Sequence, residues 1–224
     1  GTWKVHTSIT GAQLAKVLPT IGGTLAGKVT LDGQLGPHPT GKAKVDLTLR
    51  RKRRRRRDYI PQRLGLKGSL HVGTRIIDLA GLTVTADGNS ARARGSINIP
   101  RQRANVRLAF DLPRVGRWIA SRVGVDPVRS AKGRLHVTGR WPYLAATGQL
   151  QARGVGLQAY RLPRLEAKVA LRGGEVRLER IVSRGYGGVL RGQASLKLFN
   201  KSLLRPLRRP RLDVREHGRR DGQL

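Results

Sequence analysis

The stretch IGGTLAGKVTLDG, Ile21 to Gly33, decides the fold, because it can be read in two ways. Gly22, four residues, Gly27 and Lys28 nearly spell a phosphate-binding loop, in which a hydroxyl residue should follow, but position 29 is Val29. Such a loop also opens a helix whose backbone amides face the phosphates. Lys28, Val29, Thr30 and Leu31 instead alternate polar and apolar, the period-two mark of a strand with one apolar face. The stretch therefore predicts a strand and argues against a nucleotide site.

The same alternation recurs along the chain. Ala104, Val106, Leu108 and Phe110 interleave with Arg103, Asn105 and Arg107; Ala43, Val45, Leu47 and Leu49 interleave with Lys42, Lys44, Asp46 and Thr48. Leu165, Ala167, Val169 and Leu171 alternate with Arg164, Glu166 and Lys168, and Leu190 to Leu198 repeats the pattern against Arg191, Gln193, Ser195 and Lys197. About thirteen such runs, broken by Gly, Pro, Asn and Asp, predict a long antiparallel meander. Two segments break the rhythm and predict short amphipathic helices. Thr10 and Gln13 form a capping box before Leu14, Val17 and Leu18, with Pro19 as the stop, giving a helix over about 10–18. Asp111 reads as the N-cap of a second, over about 111–123, with Pro113 in its first turn, Val115, Trp118, Ile119 and Val123 on one face, and Gly124 past its end.

Glycine offsets reveal a repeat. Aligning GKVTLDG with GRLHVTG pairs Gly27 with Gly133 and Gly33 with Gly139, both 106 apart, and Gly41 with Gly148, 107 apart. Gly73 then pairs with Gly173 at 100 and Gly95 with Gly192 at 97. The first copy carries seven extra residues between Gly41 and Gly73 (32 against 25), and the run RRKRRRRR, Arg50 to Arg57, lies in that interval as an insertion between strands. Residues 1–110 are thus a first repeat, 111–200 a second, and 201–224 a basic tail whose alternation fails and which reads as disordered.

Composition bounds the function. With 46 basic and 13 acidic residues the net charge is +33, which points to an anionic partner, nucleic acid or an anionic membrane surface. The run Arg50, Arg51, Lys52, Arg53, Arg54, Arg55, Arg56 and Arg57 is the strongest local feature and suits phosphates or anionic headgroups, or else is a solvated loop; without its eight charges +25 remains, dispersed over strand faces. Only nine aromatic residues occur, so the base-stacking platforms of single-strand binders are missing and the nucleic-acid reading rests on charge alone. No cysteine excludes disulfides and thiolate metal sites. His6, His38, His71, His136 and His217 are scattered, no nucleophile elbow occurs, and Glu175 and Glu179 read as solvent-facing charges among arginines, so no enzyme, cofactor or metal is expected. No apolar run approaches the ~20 residues of a membrane-spanning helix. The chain has no methionine, as expected of a processed or excised piece of a longer protein.

Thirteen strands at about 4.8 Å spacing make ~60 Å of sheet with one apolar face, more than two short helices can cover. Its Val, Leu, Ala and Gly lining is small and smooth and suits a groove as well as a closed core. Val29, Leu31, Val45, Leu47, Leu66, Leu70, Val106, Leu108, Leu135, Val137, Leu165, Val169, Val176, Leu178, Leu196 and Leu198 are the candidate lining.

Helix, then G-x-L/V-x-V/L-x-G, a Pro-containing connector, a glycine-led strand and later GGEVRLERIVSRGYGGVLRGQASLKL resemble the repeat of the AsmA-like and TamB family of bacterial envelope proteins. The stretch DLPRVGRWIASRVGVDPVRSAKGRLHVTGRWPYLAATGQLQARGVGL resembles it best, and with the first copy the resemblance covers about residues 1–200. It implies a long, curved, taco-shaped β-groove, anchored in the inner membrane and crossing the periplasm. Such a groove carries phospholipid acyl chains toward the outer membrane or assists outer-membrane protein assembly, with an outer-membrane barrel as partner. Against that pattern the sequence shows no membrane anchor, no clear C-terminal docking segment and an unusual arginine content. A basic nucleic-acid-binding β-protein and an envelope scaffold without transport are the alternatives.

Overall fold

The computed structural model describes residues 1–13, 23–37, 39–51, 61–116, 128–157, 160–185, 188–199 and 206–216. They form β1 (Thr2–Gln13), β2 (Thr24–Gln34), β3 (Thr40–Arg50), β4 (Arg63–Val72), β5 (Ile76–Ala86), β6 (Asn89–Asn98), β7 (Arg103–Leu112), β8 (Ser130–Arg140), β9 (Tyr143–Leu157), β10 (Tyr160–Arg172), β11 (Glu175–Gly185), β12 (Gly188–Phe199) and β13 (Pro206–Glu216). The protein is mainly β, as its alternation predicts. Strand order follows chain order without closing into a ring, and each registered pair is antiparallel. The chain divides into two compact units, Gly1–Leu108 and Ala109–Leu224, described in turn.

In the first unit, Lys28 to Leu31 of the near-phosphate loop lie in the middle of β2, paired with β1 and β3. The strands are long: β4, among the shortest, has 10 residues. Glycines carry the ladder through positions that a side chain would break. Gly27 sits at φ 151°, where a Cβ would run into the Asp46 carbonyl and come within 2.8 Å of the Leu47 Cα of β3. The β5–β6 hairpin turns through Asp87 (φ 48°) and Gly88 (φ 86°), a pair with the positive φ values such a tight turn requires. The Asp87 carboxylate accepts the amide hydrogens of Gln62 and Arg63 at 2.9–3.1 Å, fixing the start of β4.

In the second unit, the buried core is a cluster of Ala152, Val155, Leu162, Leu165, Ala167 and Ile181, with Val128, Leu178, Leu190 and Ala194 packed against it. Gly173 and Gly174 (φ 58° and 81°) make the β10–β11 turn. Phe110 packs against Gly133 of β8, where a Cβ would stand 2.6 Å from its Cζ.

The repeat seen in the glycine offsets matches the strands. Gly27 and Gly33 lie in β2 and Gly133 and Gly139 in β8; Gly41 and Gly148 lie in β3 and β9, and Gly95 and Gly192 in β6 and β12. Gly73 and Gly173 fall in the turns after β4 and β10.

Three expectations are corrected. Thr10 and Gln13 belong to β1, not to a helix cap: a bulge at Gly11 (φ 69°), between Ile9 and Ala12, breaks the period of two and imitates a helix start. The remainder of that segment, Leu14 to Leu18, lies outside the described residues. Asp111 is not an N-cap, because the alternation of Phe110 and Leu112 carries β7 past it; residues 113–115 form a turn and Gly116 is helical, while Trp118, Ile119 and Val123 lie outside the described residues. The tail is not wholly irregular either: Pro206–Glu216 pair with β12, with Leu212 opposite Leu196 and Val214 opposite Ala194. Alternation does persist there, in RLDVRE, but Pro206 and Pro210 hide it.

Candidate functional site

Residues directly opposed in an antiparallel ladder point to the same face of the sheet. In the first unit the registers connect Val5, Leu31, Ala43, Leu70, Leu79 and Gly95 into one row across the strands. A second row runs through Ile9, Gly27, Leu47, Leu66, Val84 and Ala91, and Val29 opposes Val45 between them. In the second unit Leu135, Gly148, Val169, Leu178 and Ala194 form a row, and Val137, Ala146, Leu171, Val176 and Leu196 another. Leu165 opposes Ala152 and Ser183. Within each unit the structure thus gathers the candidate lining residues onto one apolar face. Val106 and Leu108 keep the inward alternation of β7, and Leu198 lies in the β12 backbone.

Val106 (8% exposed) and Leu165 (6%) are buried, whereas the other lining residues with described side chains are only half-buried. An apolar face of this kind is neither a close-packed interior nor an ordinary wet surface. The elements of the described residues are all strands, and no described helix covers it.

The opposite face is charged, and its acids sit among cations. Asp46 lies between Lys28 and Lys67 in register, with the Lys67 ammonium 3.3 Å away; Asp32 lies between Lys4 and Lys42. Glu175 is flanked by Arg172 and Lys197 and accepts two hydrogen bonds from the Arg177 guanidinium, both at 3.2 Å. That fork holds the Glu175 carboxyl below its ordinary range, against a smaller opposing effect of desolvation, and raises Arg177 in turn. These are solvated pairs on exposed strands, with little bearing on stability.

Of the basic run, Arg50 closes β3, and the Arg51 amide donates to the Gln62 carbonyl at 3.0 Å. Lys52 to Arg57 lie outside the described residues. His71 and His136 are exposed, and no group of three metal-ligating side chains occurs among the described residues.

Two clefts lie at strand ends. In the first unit a cavity of about 800 Å³ is lined by Trp3, Lys4, Asp32, Lys42, His71, Val72 and Asp78, among others, and there the Trp3 ring lies over Gly33. Its charges are mixed. In the second unit a cavity of about 940 Å³ is lined by Arg114, Arg129, Arg153 and Arg161 with Ser130, and among the described residues no carboxylate lines it. Sequence reasoning missed this arginine cluster, because its members are spread from Arg114 to Arg161 and share no motif. A search of protein-family models, of curated proteins and of solved structures finds no match to this chain.

Proposed function

We propose that the half-covered apolar face is a trough for acyl chains, and that the chain is a section of a non-enzymatic groove that moves phospholipid through a bacterial envelope. The observation that supports this most is the set of half-buried Val and Leu rows in each unit, set against a charged opposite face. The resemblance to AsmA-like and TamB repeats supports the periplasmic setting, an inner-membrane-anchored parent and an outer-membrane partner. Branched aliphatic rows offer a lipid tail dispersion contacts without a polar group to desolvate. One side of a chain of about fifteen methylenes, at ~0.8 kcal/mol each, gives about 6 kcal/mol before ordering costs. Such a hold is loose enough for a tail to slide. The lipid headgroup would stay in water at the open side.

Side-chain parity supplies the test. A photo-crosslinking amino acid is placed at Val45 or Leu135, and at their outward neighbours Lys44 or Arg134, and crosslinked phospholipid is measured by mass spectrometry. Crosslinks from the inward pair alone are expected, and Leu108→Arg with Val169→Arg should remove co-purified lipid with the strand signal in circular dichroism unchanged. Equal labelling at both parities, or no lipid on the wild-type chain, would overturn the trough. Oligonucleotide binding that weakens steeply with salt would then favour the nucleic-acid alternative.

A further inference from the structure

The apolar face of each unit is buried at one end of its strands and open at the other. We propose that the open lip docks on an anionic bilayer, its apolar turns entering the headgroup layer; this rests on the trough reading and deepens it, because it names the surface from which lipid tails are loaded.

In the first unit the inward row Leu25, Leu49, Leu64, Ala86 and Asn89 crosses the sheet at one end, and Leu49, Ala86 and Asn89 are buried. The turn beside it, Asp87 and Gly88, is polar. At the other end the row Trp3, Gly33, Gly41, Val72 and Ile77 contains no buried residue. Apolar side chains continue past that row into the turns: Leu35 (65% exposed) follows β2, Ile76 opens β5, and Ile99 (46%) follows β6. Successive turns at one end of a meander stand two strand spacings apart, about 10 Å. The Ile99 amide donates to the Arg75 carbonyl at 2.9 Å, which ties the turn after β6 to the turn before β5 and makes their apolar residues neighbours.

The second unit repeats the arrangement by itself. Ala131, Ala152, Leu165 and Ser183 form a buried row at one end of β8 to β11. At the other end of β8 and β9 the connection carries Trp141 (50% exposed) and Tyr143 (65%). Of the eight large apolar side chains exposed among the described residues, six lie in or beside these turns, and Val5 and Val189 are the other two. Exposure that recurs at one strand end in both units is a surface and not a scatter of single residues.

Charge selects the partner. The turns at 35–39, 73–75 and 99–102 contain Arg75 and Arg101 and no acid, and Arg140 precedes Trp141. Asp32 and Asp78 lie on the opposite face, in register with Lys4, Lys42 and His71. Leu, Ile, Trp and Tyr beside arginines suit a negatively charged bilayer interface, where apolar bodies enter and cations meet headgroups.

The test uses the whole chain, which has no cysteine of its own, so Leu35→Cys, Ile99→Cys, Tyr143→Cys and Val189→Cys can each carry one environment-sensitive fluorophore. Vesicles of phosphatidylcholine and phosphatidylglycerol are added in about 0.5 M salt, which screens diffuse attraction. Emission should move to the blue at the first three positions and stay in place at Val189. Leu35→Ser with Ile99→Ser and Tyr143→Ser should weaken vesicle binding by about tenfold with circular dichroism unchanged, whereas Arg134→Gln with Arg191→Gln should leave it intact. A label at Val189 that shifts as far as the others, or binding that vanishes at this salt, would overturn docking in favour of adsorption by charge. In about 0.1 M salt the wild type should bind these vesicles about tenfold more tightly than phosphatidylcholine alone, and equal binding would overturn the anionic class. Docking and trough fail separately. Turns that insert while crosslinkers at Val45 and Leu135 capture no lipid sustain docking and overturn the trough; inward crosslinks without a shift at the turns overturn docking alone.

Discussion

Gly27 shows how much a single atom decides in this protein. Its φ of 151° and the nearness of the Leu47 Cα leave no room for a methyl group on the apolar side. Gly27→Ala should therefore destabilise the first unit by about 1–3 kcal/mol, through both strain and displacement of β3. Gly36→Ala is the matched control, because nothing lies within 4 Å of its Cβ position, and it should stay within about 0.5 kcal/mol of the wild type. Urea unfolding midpoints of the two variants would separate these outcomes, and equal midpoints would show that the β2–β3 ladder tolerates the methyl group.

Hairpins are the unit in which these residues act. Asp87 both turns β5 into β6 and accepts the first amides of β4, so Asp87→Ala should cost about 1–2 kcal/mol and speed hydrogen exchange at Arg63. Unchanged exchange would mean that the carboxylate only decorates the turn. At this scale the sequence was legible wherever alternation ran unbroken: Lys28 to Leu31, Lys42 to Leu49 and Arg103 to Phe110 are all strand. It misled where a second pattern overlay the first. Thr10 and Gln13 fit a capping box as well as a bulged strand, Asp111 before a proline fits an N-cap, and two prolines masked the Arg211 to Glu216 alternation. The apolar lining could be read from parity alone, because the period of two fixes a face. The arginine cleft could not, because parity says nothing about which distant strand ends meet.

At the scale of the whole molecule, charge dominates. A net +33 repels itself, and the acids are too few to neutralise it. Raising salt from about 0.01 to 0.15 M shortens the screening length from about 30 to 8 Å, so the melting temperature should rise by several degrees. A melting temperature that falls with salt would show instead that the sparse acid-to-cation pairs outweigh the repulsion. Each registered ladder, from β1–β2 to β12–β13, joins strands adjacent in sequence. Contacts of such low sequence separation close small loops first, so the chain can zip up hairpin after hairpin and needs no late, distant encounter to finish. The same local wiring lets a gene lengthen or shorten the protein by two strands at a time, with the direction and inward face of every remaining strand preserved.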